Sequence, residues 1–125
     1  MVKQVIVIRK DLKMRRGKEI SQGSHASMAF LLDEMKADGT LDLKDFSAAT
    51  RAWIDGLFTK VCLQVGSEAE LIAVFHAAYN AGLDVHLITD AGATEFHGVP
   101  TMTCLAIGPD EAEKIDPITK HLSLY

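Results

Sequence analysis

Short runs of β-branched and apolar residues alternate along the chain with longer segments of helical periodicity. The first run, at residues 4–9, has Val or Ile at every central position, which predicts a strand covered on both faces of a sheet. Three further strands are predicted at residues 60–65, 83–88 and 101–107. Because helical segments separate these runs, we expect an α/β fold in which helices cover a small four-stranded sheet.

The first helical segment, at residues 19–36, follows a spacing of three and four residues. The residues at this spacing are Ile20, Ser24, Ser27, Met28, Leu31 and Met35. Small residues between them predict a slim helix that packs closely on a neighbour, and Gly39 stands where a helix commonly ends.

Capping residues mark the later helices. Asp42 is predicted to begin a helix that runs to about residue 55. Ser67 opens a segment with capping-box spacing that leads into a helix ending near Gly82. After the last strand, Gly108-Pro109 is predicted to end the strand, and residues 110–115 are predicted to form a short helix.

The length of 125 residues and the hydrophobic content of 48% suit one domain, residues 1–125, with a core of its own. Cys62 and Cys104 both lie in apolar runs, where a thiol behaves as a small hydrophobic group. No apolar run reaches the length of a signal peptide's apolar region or of a membrane span. We therefore expect a reduced, cytoplasmic protein without a membrane partner.

Charge is distributed unevenly, because the net charge is −4 and yet nearly half of the cations lie within ten residues. This basic segment, residues 9–18, contains Arg9, Lys10, Lys13, Arg15, Arg16 and Lys18. Its only carboxylate is Asp11, so a local positive field would attract a polyanion such as a phosphate-rich partner. A solvated loop is the alternative. The five histidines have no metal-ligand spacing, so no metal site is expected.

Polar residues follow the basic segment and the third predicted strand, and loops that leave strand ends are common ligand sites in α/β sheets. Gln22, Ser24 and His25 fall in the first two turns of the first helix, whose dipole favours anions. Ser24 and His25 point about 100° apart on a helix and are a poor nucleophile–base pair. Asp90 and Thr94 lie in the loop 90–100, where the local pattern alone also suits an ordinary turn.

Together these segments resemble the type II peptidyl-tRNA hydrolase family. The resemblance runs nearly end to end and is carried by VIVIRKDLKMRRGKEISQGSHASM, GLDVHLITDAGATE, TMTCLAIGP and IDPITKHLSLY. It implies a small mixed sheet with helices on both faces and usually a homodimer. The implied activity is hydrolysis of the ester that joins a peptide to the 3′ end of tRNA, with no cofactor.

The resemblance also implies which residues form the site. The implied catalytic residues are Lys18, Asp90, Thr94 and Thr103. The implied substrate-binding residues are Lys13, Gln22, Ser24 and His25, and the basic segment adds Arg15 and Arg16 where the tRNA acceptor stem would enter. Asp90 would orient or deprotonate water, Lys18 would stabilise negative charge, and the two threonines would hold water or carbonyl.

Two features depart from the family's pattern. Ala93 and Glu95 stand where the family usually has Arg and Gln, and the loop before Thr103 is slightly longer than usual. These departures keep two alternatives open. One is a noncatalytic RNA- or protein-binding module of the same fold, and the other is a hydrolase of a different acyl- or aminoacyl-tRNA ester.

Overall fold

The computed structural model describes residues 1–125, which form one small α/β domain. The strands are β1 (Val2–Arg9), β2 (Lys60–Val65), β3 (Val85–Asp90), β4 (Thr101–Glu111) and β5 (Ser123–Leu124). The helices are α1 (Arg16–Asp38), α2 (Ala48–Asp55), α3 (Glu68–Asn80) and α4 (Ala112–Thr119), with a 3₁₀ turn at Leu43–Asp45.

The strands form one mixed sheet in the order β3-β4-β1-β2-β5. β1 lies parallel to β2 and antiparallel to β4, and β3 and β5 run antiparallel to their neighbours. β1 lies in the centre of the sheet and is covered on both faces, as predicted, but the count of four strands is wrong. The fifth strand is a two-residue pairing of the C-terminal tail with β2, extended by a bond from Tyr125 N to Cys62 O of 3.0 Å. A strand of two residues is too short to produce a recognisable apolar pattern.

β4 does not end at Gly108-Pro109, contrary to the prediction. It continues to Glu111, and its pairing with β1 shifts by one residue between Lys3 and Val5. This irregularity accommodates Pro109, which has no N–H to donate, within a paired strand. The following helix consequently begins at Ala112 rather than at residue 110.

The two faces of the sheet bury different clusters, because alternate residues of a strand point to opposite faces. One face packs Val5, Val7 and Leu105 against α3 and α4. The other packs Ile6 and Ile8 against α1. Helices therefore cover both faces, in agreement with the prediction.

The residues of α1 that follow three-four spacing are largely on its outer side. Ile20, Met28 and Met35 are exposed, whereas the fully buried residues of α1 are Gln22, Ala26, Ala29 and Phe30. Small side chains on the buried side let α1 lie close to the sheet, and a Cβ at Gly23 would be only 3.8 Å from Ile8. The larger apolar side chains Ile20, Met28 and Met35 therefore do not contribute to the packing of α1 on the sheet.

Capping explains the remaining helices. Asp42 caps only the 3₁₀ turn by accepting from Lys44 N, and α2 begins separately behind Ser47, whose hydroxyl accepts from Thr50 N. The prediction of one continuous helix over 42–55 is therefore wrong. The capping prediction at Ser67 is confirmed, because its hydroxyl accepts from Glu70 N at 3.1 Å.

The two cysteines have different surroundings. Cys104 is buried on β4, and burial raises the pKa of its thiol to about 11, so it is predominantly neutral at physiological pH. Cys62 is exposed although it lies in an apolar run, because no helix packs extensively on that part of β2.

His86 on β3 lies between two carboxylates, with Nδ1 2.8 Å from Asp33 on α1 and Nε2 2.7 Å from Asp84. The hydrogen bond to Asp84 is the main cause of its raised pKa, and Asp33 adds to it. The stabilisation is therefore fully present below the unfolded-state pKa of about 6.5 and is lost as pH rises through the raised folded-state pKa.

His86→Gln is expected to destabilise the protein by about 1 kcal/mol at pH near 6, since both carboxylates are partly solvent-screened. That corresponds to a Tm decrease of about 4 °C. At alkaline pH the difference between the variant and the wild type should shrink. Thermal unfolding of both proteins across this pH range measures the difference in Tm. A difference that does not change with pH would contradict the ion pairs of protonated His86 with Asp33 and Asp84.

Candidate active site

Lys18, Asp90 and Thr94 form a hydrogen-bonded cluster where α1 begins and β3 ends. Lys18 Nζ lies 2.9 Å from Asp90 Oδ1 and 2.9 Å from Thr94 Oγ1. The Lys18 and Asp90 side chains are only 15% and 13% exposed. The start of α1 and the end of β3, which are far apart in the sequence, therefore share one partly enclosed ion pair.

The Asp90 carboxylate is held by three donors. Oδ1 accepts from Lys18 and, at 3.1 Å, from Gln22 Nε2, and Oδ2 accepts from Gly92 N at 2.9 Å. The hydrogen bond from Lys18 is the main reason why the pKa of Asp90 is lowered, and those from Gly92 and Gln22 contribute. Gly92 has φ +81° and passes so close to Val99 that a Cβ would collide with its backbone. Glycine is therefore required at the turn that supplies this N–H.

Lys18 and Thr94 both keep donor capacity for a further partner. An ammonium has three N–H donors, and two of those of Lys18 go to Asp90 and Thr94. Thr94 accepts from Lys18, so its own hydroxyl proton can point elsewhere, and the residue is exposed. The cluster thus presents an N–H and an O–H donor to one small volume.

Thr103 and Gln22 lie behind this cluster, away from solvent. Thr103 is 0% exposed and Gln22 is 2% exposed, and Thr103 Oγ1 donates to Gln22 Oε1 at 2.6 Å. A β-bulge in β4 leaves Thr103 as the extra residue between the pairs Ile88–Cys104 and Thr89–Met102. Both groups are enclosed by protein, whereas Thr103 was expected to hold water or a carbonyl and Gln22 to bind substrate, and those roles stay predictions.

The other residues expected near the cleft are divided by helix geometry. Ser24 is about 200° around α1 from Gln22, and its hydroxyl donates to Ile20 O at 2.7 Å, so it lies on the far side of α1. His25 is exposed and lies two turns from Lys18 on the same side, about 10 Å along the axis. Lys13 is exposed in the loop before α1, with φ +52°.

Within the basic segment, Arg9 differs from the other cations. It is buried, forms a bidentate pair with Asp11 and donates to Met102 O at 3.0 Å. This pair lowers the pKa of Asp11. Arg9 is therefore a structural link between β1 and β4. Its neighbour in the sequence, Lys10, is exposed.

The rim of the cluster contains one contact that the sequence did not indicate. Arg15 and Arg16 are exposed, and Arg15 Nε lies 3.6 Å from Glu95 Oε1. The same carboxylate accepts weakly from Arg15 N at the start of α1. Opposite charges 80 positions apart in the sequence give no local signal, and only the fold of the loop 90–100 brings this pair together.

The largest pocket is not at this cluster. It is a groove of about 470 Å³ on the other side of α1, lined mainly by apolar residues of α1 and β1 together with Trp53 of α2 and Phe58. Polar groups converge at Lys18 instead, so we assign the candidate active site there. No set of three His, Cys, Asp or Glu residues has an arrangement that could hold a metal ion, and none of the helices has an apolar stretch that could cross a membrane.

Comparison with known proteins identifies the family. The family described as "Peptidyl-tRNA hydrolase PTH2" matches residues 2–125. The chain belongs to this family. A relative named peptidyl-tRNA hydrolase from Methanocaldococcus jannaschii is 40% identical over 123 residues, which cover 98% of this chain and 99% of the relative.

Two further relatives extend the comparison across domains of life. The peptidyl-tRNA hydrolase of Methanothermobacter thermautotrophicus is 38% identical over 98% of this chain and 99% of its own length. A probable peptidyl-tRNA hydrolase 2 from Dictyostelium discoideum is 38% identical over 98% of this chain, which covers 54% of that longer protein. The resemblance to type II peptidyl-tRNA hydrolases drawn from the motifs is thus confirmed.

Proposed function

We propose that this chain hydrolyses the ester bond of peptidyl-tRNA at the cluster of Lys18, Asp90 and Thr94, releasing free tRNA and peptide. Membership of the peptidyl-tRNA hydrolase family supports the reaction class. The single observation that carries the assignment of the site is the bond network from Lys18 Nζ to Asp90 and Thr94. This substrate implies a cytoplasmic location, where tRNA carries growing peptides.

The reaction needs stabilisation of charge on the ester carbonyl. Water adds to the carbonyl carbon, the bond to the 3′ ribose oxygen breaks, and that oxygen takes up the proton lost by water. Negative charge develops on the carbonyl oxygen before the bond breaks. The free N–H of Lys18 and the hydroxyl proton of Thr94 are donors suited to this oxygen.

Asp90 is better suited to orienting Lys18 than to removing a proton from water. Its lowered pKa makes it a weak base, and its oxygens already accept from Lys18, Gln22 and Gly92. Its charge keeps the ammonium in place within a largely enclosed site. Asp90 therefore acts by orienting Lys18, which differs from both roles expected from the resemblance, the orientation and the deprotonation of water.

Asp90→Asn is expected to lower kcat on the order of 10²-fold, because the amide retains the shape but loses the charge that holds Lys18. Lys18→Ala is expected to lower kcat and to raise KM as well, since its charge would act on both substrate and oxyanion. Steady-state hydrolysis of purified peptidyl-tRNA measures both effects.

Asp55→Asn is a matched control, since Asp55 is an exposed aspartate at the end of α2. It should behave like the wild type. A folded Asp90→Asn variant with the wild-type rate would remove Asp90 from the mechanism. A wild type that binds tRNA without hydrolysis would favour the noncatalytic alternative, and faster cleavage of aminoacyl-tRNA would favour a different ester.

The basic segment is proposed to hold the phosphates of the acceptor stem. Lys13, Arg15 and Arg16 are exposed beside the cluster, whereas Arg9 is engaged within the protein. Neutralising Arg15 and Arg16 together is expected to weaken tRNA binding and to reduce the slope of log affinity against log salt by up to about two units. Binding titrations at several salt concentrations measure this slope.

Neutralising Lys114 and Lys120 is the control for this experiment. Both belong to the region of α4, on the opposite face of the sheet, and removal of the same number of charges should leave the slope unchanged. Equal slopes for the wild type and the Arg15 and Arg16 variant would assign these arginines to solvent.

We further propose that the chain forms a homodimer through the apolar groove beside α1. Ile20 and Met28 line the groove and are exposed, and such apolar surface is typical of an interface. The groove also contains the Glu19 carboxylate, with one buried oxygen lacking a partner, and the Lys60 ammonium. A two-fold contact can bring the acid of one copy near the cation of the other.

Met28→Glu is expected to weaken dimerisation at least tenfold by placing a charge in this contact. Tyr79→Glu alters an exposed aromatic residue on α3, behind the sheet, and should leave the dimer intact. Sedimentation at micromolar concentrations compares the two variants with the wild type. A monomeric wild type would rule out the dimer.

A further inference from the structure

Thr103 and Gln22 are polar, fully buried and absent from the proposed chemistry. Burial of a hydroxyl or an amide is unfavourable unless it is hydrogen-bonded. Here each group has its bond with the other, and Gln22 has a second bond to Asp90. The cluster thus continues inward as a chain of bonds from Thr103 to Gln22 to Asp90 and then to Lys18.

The direction of every bond in this chain follows from the charge of Asp90. An ionised carboxylate only accepts, so the Gln22 side chain must turn its NH₂ group toward Asp90. Its oxygen then faces Thr103, which has to donate its hydroxyl proton. A reversed amide would place an oxygen against the carboxylate, so Asp90 selects the orientation of Gln22, and the Thr103 hydroxyl stabilises that orientation by donating to Gln22 Oε1.

We propose that Thr103 and Gln22 are a positioning pair that fixes the Asp90 carboxylate, and through it the Lys18 ammonium, without touching substrate. The inference rests on the proposed hydrolytic function. Asp90 Oδ1 is shared by Gln22 and Lys18, and the terminal torsion of an aspartate is otherwise broad. Two anchors, Gln22 on one oxygen and Gly92 on the other, fix the plane in which Lys18 is held.

The backbone of β4 supports this role for Thr103. The bulge at this position breaks the regular alternation of side chains, and both Thr103 and Cys104 hydrogen-bond to Gln22. Bulges next to active sites re-aim side chains in this way. The irregularity that delivers the hydroxyl to Gln22 lies one strand away from Asp90.

Thr103→Val tests the pair because it keeps the shape and removes only the hydroxyl. It is expected to lower kcat about tenfold with little change in KM, the result for a group that acts on the catalytic residues and not on bound substrate. Thr103→Ser restores the donor and should recover most of kcat. Gln22→Met removes the hydrogen bonds of Gln22 to both Thr103 and Asp90 and should lower kcat to a similar extent. This variant provides a second test if Thr103→Val folds poorly.

Thr119→Val is the matched control. Thr119 is also a buried threonine, and its hydroxyl donates within α4, remote from the cluster, so kcat should be unchanged. A second readout is independent of activity. Carboxyl ¹³C NMR should find the pKa of Asp90 raised toward its ordinary value in Thr103→Val and Gln22→Met, because the donor from Gln22 is misaligned or lost.

Wild-type kcat in Thr103→Val together with an unchanged Asp90 titration would overturn the positioning role. An increase in KM at constant kcat would also overturn it, because it would indicate direct contact with substrate. Failure of the proposed function is distinguishable, since it leaves the wild type inactive on peptidyl-tRNA whereas the NMR titration still reports whether the pair holds Asp90.

Discussion

The close approach of α1 to the sheet is the constraint on which the site depends. Alanines occupy much of its buried side, and polar bonds supplement them: Gln4 on β1 donates to Ser27 O at 3.0 Å and accepts from Ser27 Oγ. A second buried amide, Gln22, bonds to β4 and to the end of β3. Larger residues on this side would move α1 outward, and Lys18 would no longer reach Asp90.

Most of the fold follows from sequence pattern because apolar runs and capping residues are local signals. The long strands and the cap at Ser67 were predictable for this reason. The tail strand was not, because its two residues pair with β2 only through tertiary structure. The continuation of β4 past Pro109 depends on a bulge, which has no sequence signature. The three-four spacing of large apolar residues predicted that Ile20 and Met28 lie on the packed side of α1, whereas small residues form most of that side.

The candidate site was only partly predictable. Asp90, Thr94 and Lys18 came from the resemblance of their motifs, because their spacing alone also suits an ordinary turn and a solvated loop. The sequence placed Arg9 among the cations of the basic segment, because no local signal indicates that its side chain bonds to Met102 O on β4. Thr103 is buried because both faces of β4 are covered at this position, and no apolar pattern reveals its bond to Gln22.

The open side of the site has an electrostatic consequence. Thr94 is exposed and Lys18 is largely enclosed, and in the proposed function substrate would reach them past the ion pair of Arg15 and Glu95 at the rim. The Arg15 side chain is 89% exposed and the Glu95 side chain 19%, and a pair with one solvated partner at an N–O distance of 3.6 Å contributes about 1 kcal/mol or less. A phosphate, with more negative charge and more acceptor oxygens than a carboxylate, can therefore replace Glu95 on Arg15 at little cost. In the proposed function, Glu95 would therefore order the rim in the free protein without closing the route of an RNA strand to Lys18.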